Sequence, residues 1–77
     1  MNEEIKMIPV FSTNIASIGY DKETNKMRVK FITGAEYDYA GIPPELFKEF
    51  QFCDSQGNFL RKRIKGFYNF TKVADKK

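Results

Sequence analysis

The stretch "ITGAEYDYAG", residues 32–41, decides how this chain folds. Read as a turn followed by a strand, it alternates Glu36 and Asp38 with Tyr37 and Tyr39, so the turn's length decides which pair enters the core. A two-residue turn at Thr33-Gly34 sets Phe31 against Glu36 and Val29 against Asp38, placing carboxylates among apolar side chains. A three-residue turn, Thr33-Gly34-Ala35, sets Phe31 against Tyr37, Val29 against Tyr39, Lys30 against Asp38 and Ile32 against Glu36. Burying carboxylates costs several kcal/mol, far more than separates two turn types. The three-residue turn is therefore expected, with the tyrosines forming a wall of the core rather than an exposed stacking platform.

Upstream, "IASIGYD" (15–21) and "KMRVKF" (26–31) form a hairpin around Lys22-Glu23-Thr24-Asn25. Setting Tyr20 against Met27 brings Ile18 to Val29 and Ala16 to Phe31, which gathers the apolar residues on one sheet face. Downstream, "GIPPELFKEFQFC" is a helix opened by Pro44 and Glu45, with Leu46, Phe47, Phe50 and Cys53 on one stripe. "DSQGNFLRKRIKG" makes a second helix capped by Ser55 and closed by Gly66. Its inward arc holds Phe59, Leu60 and Ile64. Asn58, Arg61, Lys62 and Lys65 gather on its outward side, while Arg63 lies in the apolar arc with its guanidinium able to reach a carboxylate. The closing "FYNFTKVADKK" docks aromatics onto the domain and frays into a charged tail. The expected fold is a single α+β domain over 1–77, its core about 10–73: a three-stranded antiparallel meander covered by two C-terminal helices, β-β-β-α-α.

Seventy-seven residues leave room for one core, so most large apolar side chains must be committed to packing. One cysteine and no histidine exclude an internal disulfide and the usual zinc sites. With no histidine to act as its base, Cys53 reads as a small buried hydrophobe. No phosphate-binding loop, dinucleotide fingerprint or paired-cysteine motif is present, and Glu36 and Asp38 are better used opposite Lys30 than as a catalytic pair. Neither an enzyme nor a cofactor or metal requirement is expected. Glu3 and Glu4 stand where a secretory signal would be positive, and no apolar run approaches membrane-spanning length, so the chain reads as soluble and cytoplasmic.

Charge is uneven along the chain. Six Lys or Arg face nine Asp or Glu in residues 1–60, whereas seven face Asp75 alone from Arg61 onward. A basic end suits a polyanion or an acidic surface.

The ordered set "FSTNIASIGYD", "MRVKF", "YDY", "GIPPELF", "SQGNF" and "IKGFY" resembles the KTSC domain, a short module named for the C-terminus of some lysyl-tRNA synthetases and also found in stand-alone bacterial or phage proteins. The resemblance spans residues 10–73 and rests on Ser12-Thr13, Ile18 to Asp21, Tyr37 and Tyr39, Gly41 to Pro43, Ser55-x-Gly57, and Ile64 followed by Tyr68. It implies an RNA-binding role, through the family's association with a tRNA-charging enzyme. The family pattern often has Asn where Arg61 stands here, and the exchange makes this helix more basic.

Two functions are expected from these readings. The first is weak binding of RNA or single-stranded DNA through Asn58, Arg61, Lys62, Lys65 and Lys72, with Tyr37, Tyr39 and Tyr68 as aromatic contacts. The alternative is a protein-interaction module that docks a partner with an acidic surface. Rings beside the cations separate the two; the outward face of the second helix carries none, and Phe67, Tyr68 and Phe70 could serve only if they are exposed.

Overall fold

The computed structural model describes residues 5–74 and has five strands where three were expected. Strands β1 (Met7–Pro9), β2 (Ile15–Asp21), β3 (Lys26–Phe31), β4 (Glu36–Tyr39) and β5 (Phe70–Ala74) form one antiparallel sheet in sequence order. Between β4 and β5 lie α1 (Pro44–Phe52) and α2 (Gln56–Phe59), the latter running on into a π-helical turn, Leu60–Ile64. Phe70–Ala74 is thus a fifth strand on β4, where only docked aromatics were expected, and the charged tail expected after it lies outside the described residues. At the other end Met7–Pro9 adds an outer strand to β2, with Pro9 on an edge where its missing N–H costs no interior pairing.

Ile15, Ile18, Met27, Val29 and Tyr39 from the sheet meet Ile42, Leu46, Phe50, Leu60 and Ile64 from the helical side in one core. The first hairpin pairs Tyr20 with Met27 and Ile18 with Val29 as expected. It departs at its open end, where an irregularity between Ile15 and Ser17 sets Ile15, not Ala16, opposite Phe31. This shift places the larger Ile15 side chain fully inside.

The second hairpin has a three-residue loop, displaced by one residue from Thr33-Gly34-Ala35. Phe31 N–H donates to Ala35 C=O at 2.8 Å, and Gly34 N–H returns to Phe31 C=O at 2.9 Å, so Ile32-Thr33-Gly34 is the loop. Gly34 has φ 103°, and a turn whose last residue must be left-handed selects glycine for that position. Val29 therefore pairs with Tyr37, Met27 with Tyr39, Lys30 with Glu36 and Arg28 with Asp38. Each partner moves by two, so the faces stay as expected while the individual pairs change. Arg28 grips Asp38 through two bonds of 2.7 and 3.0 Å, and that hydrogen bonding is the chief cause raising the Arg28 pKa.

Tyr20 ties the sheet to the loop before α1. Its hydroxyl donates to Ile42 C=O and accepts from the Asn25 amide, and its ring stacks on Phe47 of α1 at 4.9 Å. Gly19 beside it has a steric role. A Cβ there would lie 2.8 Å from the Lys6 carbonyl and 2.7 Å from Met7 Sδ, so β1 can lie on β2 only over a glycine. Gly19→Ala should lower stability by about 1–3 kcal/mol, in the manner of an overpacked site. The loss should appear in urea denaturation, with amide exchange rising first in β1.

Candidate nucleic-acid interface

The Ser55 hydroxyl accepts from Asn58 N–H at 3.3 Å, capping α2 as expected. Beyond Phe59 the helix widens, and Lys65 N–H bonds Leu60 C=O at 2.7 Å across an i to i+5 turn. Leu60 and Ile64 remain buried. The extra residue in this turn fans out the side chains between them, and the basic stripe expected on one outward face is divided as a result.

Arg61 and Lys65 fall on one side, over the end of the sheet. There they border an open groove of about 400 Å³ whose walls include Phe31, Tyr37, Tyr39 and Phe70. The rings form a connected set: Phe31 meets Tyr37 edge-on at 5.8 Å, and Phe70 lies 5.6 Å from Tyr37 and 5.9 Å from Tyr39. Tyr39 is packing, at 3% exposure, and burial is the main cause pushing its hydroxyl pKa up. Tyr37 is half-buried, and Phe70 is 56% exposed. The tyrosine pair thus divides between the two roles weighed for it, Tyr39 serving the core and Tyr37 serving a surface.

Lys62 falls on the other side. It lines a smaller hollow of about 240 Å³ with Leu46, Arg63, Phe67 and Tyr68, so Lys62 and Tyr68 are not brought to the groove of Arg61 and Lys65. Arg63 is more exposed than its place in the apolar arc implied, yet it does reach a carboxylate. Its guanidinium lies 3.4 Å from Glu49 and 5.0 Å from the Phe59 ring centroid. Lys72 is exposed on β5 and stands opposite Tyr37 in register.

Asn58 occupies a third position. Its carbonyl oxygen accepts from the Arg61 guanidinium at 2.6 Å, which fixes Arg61 between the ring-lined groove and a neighbouring cleft of about 400 Å³. That cleft is walled by the 11–14 loop and the start of α2, and it shares Asn14, Gly57 and Arg61 with the groove. A side chain at position 57 would crowd the Asn14 amide, since an added Cβ would lie 3.3 Å from its nitrogen.

Phe31 and Asn14 were not singled out from the sequence as site residues, whereas Phe70 was weighed as a ring that could serve if exposed, and it is 56% exposed. The signal for its placement was its strand, and that strand is masked because Lys72 interrupts its apolar alternation. Cys53, half-buried just past α1, donates its thiol to Phe50 C=O at 3.1 Å. Burial pushes that thiol's pKa up, with backbone hydrogen bonds opposing, so it is a poorer nucleophile than a free cysteine. Among the described residues no group of His, Cys, Asp and Glu is placed to hold a metal ion, and no helix is long and apolar enough to cross a membrane.

The family model for the KTSC domain matches residues 11–68. The chain belongs to the KTSC domain family. A crystal structure of a KTSC domain protein from Yersinia pestis superposes with a TM-score of 0.86 at 32% identity, covering 92% of this chain and all of that one. An uncharacterized protein of Stutzerimonas stutzeri is 33% identical over 61 residues, which are 79% of this chain and 86% of that protein. A lysine–tRNA ligase of Nostoc punctiforme is 27% identical over 60 residues, 78% of this chain but only 11% of the ligase. Of the residues that carry the KTSC resemblance, Gly19 and Tyr20 serve packing, Ser55 both caps α2 and lines the polar cleft, and Ser12, Thr13 and Gly57 line that cleft with it.

Proposed function

We propose that this KTSC domain is a non-catalytic module that binds single-stranded nucleic acid, RNA or DNA, weakly and without strong sequence preference. The observation that carries the reading is the meeting of Arg61 and Lys65 with Tyr37 and Phe70 around one open groove. Single-strand binders need rings on which unstacked bases lie and cations that follow the backbone. Beside Arg61 and Lys65 the second helix itself offers no rings; the far end of the sheet supplies them. Similarity to a segment of a protein named for acting on tRNA supports the same direction.

Phe70 is the ring to remove, because its exposure keeps the cost in stability small. A salt titration of the wild type against a short RNA of mixed sequence should show binding at low salt that weakens steadily as salt rises. Phe70→Ala should lose about 1–3 kcal/mol of affinity, the worth of one stacked base, at nearly unchanged melting temperature. Failure of the wild type to bind at low salt would overturn the reading, and an acidic protein surface would then be the partner to seek.

A further inference from the structure

The polar cleft beyond Arg61 has a different chemistry from the groove, and it carries a distinction between the two kinds of single strand. Its hydroxyls are oriented by the backbone. Ser12 Oγ accepts from the N–H groups of Asn14 and Ile15, both at 3.2 Å, and Ser55 Oγ accepts from Asn58 N–H. With lone pairs engaged in this way, both hydroxyls have a proton left to donate. Thr13 adds a third hydroxyl, and Asp54 adds a carboxylate that can only accept when ionised.

Arg61 at the cleft's edge attracts a phosphate and Asp54 repels one, so the two charges that line the cleft cancel and give a phosphate no net hold inside it. A neutral group that both donates and accepts is a better occupant. The hydroxyls of ribose meet that description, and the 2′-hydroxyl is the group that separates RNA from DNA. Aromatic side chains stand at both ends of the path: Tyr37 and Phe70 in the groove, and Phe11, fully exposed, at the cleft's other wall. Arg61 lies between them, where the backbone charge of a strand running from ring to ring would pass.

We infer that this cleft is a ribose subsite, and that the domain binds RNA in preference to DNA of the same sequence. The inference rests on the nucleic-acid reading of the groove. The preference should be roughly two- to tenfold, the worth of one net hydrogen bond.

The test compares an oligouridine RNA with its deoxyuridine counterpart by fluorescence anisotropy, for the wild type, Thr13→Val and Asp54→Ala. Wild type should favour the RNA. Thr13→Val removes a hydroxyl that lines the cleft and not the groove, so it should bring RNA affinity toward that of DNA and leave DNA affinity as it was. Asp54→Ala should likewise lower the RNA-to-DNA ratio, although loss of a negative charge tightens both ligands. If Asp54→Ala tightens both equally and the ratio stays fixed, the cleft does not read ribose. Equal binding of RNA and DNA by the wild type would also overturn the subsite while leaving the groove reading intact. Binding of neither would sink both.

Discussion

Tyr39→Ala is expected to lose about 3–5 kcal/mol of stability, the usual cost of truncating a large core ring, and so to leave much of the chain unfolded at physiological temperature. Tyr39 is 3% exposed, pairs with Met27 and packs in the same core as Phe50 and Ile64. Close-packed interiors relax only partly around a deleted ring, so a cavity should remain. Tyr39→Phe keeps the ring and, as a nearly volume-conserving swap, should lose less than about 1.5 kcal/mol. Tyr37→Ala is the informative contrast. Its ring is half-buried and leans on Phe31 and Phe70 at the groove, so about 1–2 kcal/mol is expected, with affinity for a single strand falling further than stability. Urea denaturation of the three variants separates these outcomes. Equal losses for Tyr37→Ala and Tyr39→Ala would mean that both rings are packing and that the groove has no stacking wall of its own.

The different fates of these two tyrosines mark what the sequence made legible. The cost of burying Glu36 and Asp38 puts the Tyr39 face of β4 inward, as in the structure, yet Asp38 on the other face is also buried, at 8% exposure, because Arg28 and Lys26 pair with it. The register was missed by a step that preserves faces, so patterning alone had no means to detect it. Gly34 held the missing information. A three-residue loop places its left-handed residue last, and counting back from Gly34 selects Ile32-Thr33-Gly34. The outer strands were hidden for other reasons: β1 has three residues and ends in proline, and β5 sets Lys72 opposite Tyr37 where an apolar residue would have announced a strand. The division of the basic stripe was hidden as well, since a helical wheel assumes the regular period that the Leu60–Ile64 turn breaks.

That broken period gives the binding reading its sharpest test. If affinity came from general positive charge on the second helix, Lys62 and Arg63 would count as much as Arg61 and Lys65. The structure separates the pairs: Arg61 and Lys65 border the rings, whereas Lys62 faces the hollow at Leu46 and Tyr68, and Arg63 is partly neutralised by Glu49. On a single strand each phosphate contact contributes roughly −0.7 to the slope of log K against log salt. Changing Arg61 and Lys65 together to Gln should therefore flatten the slope by roughly 1.4, while changing Lys62 and Arg63 to Gln should move it by less than half as much. Both double variants should fold, because Leu60 and Ile64 keep the inward face of the turn. Asn58→Ala extends the series, since it frees the Arg61 guanidinium without removing its charge. Affinity should fall modestly while the slope stays near the wild-type value, because slope counts the ions released and position governs how well each contact is made. Equal flattening by the two double variants would assign binding to diffuse charge and remove the groove from it.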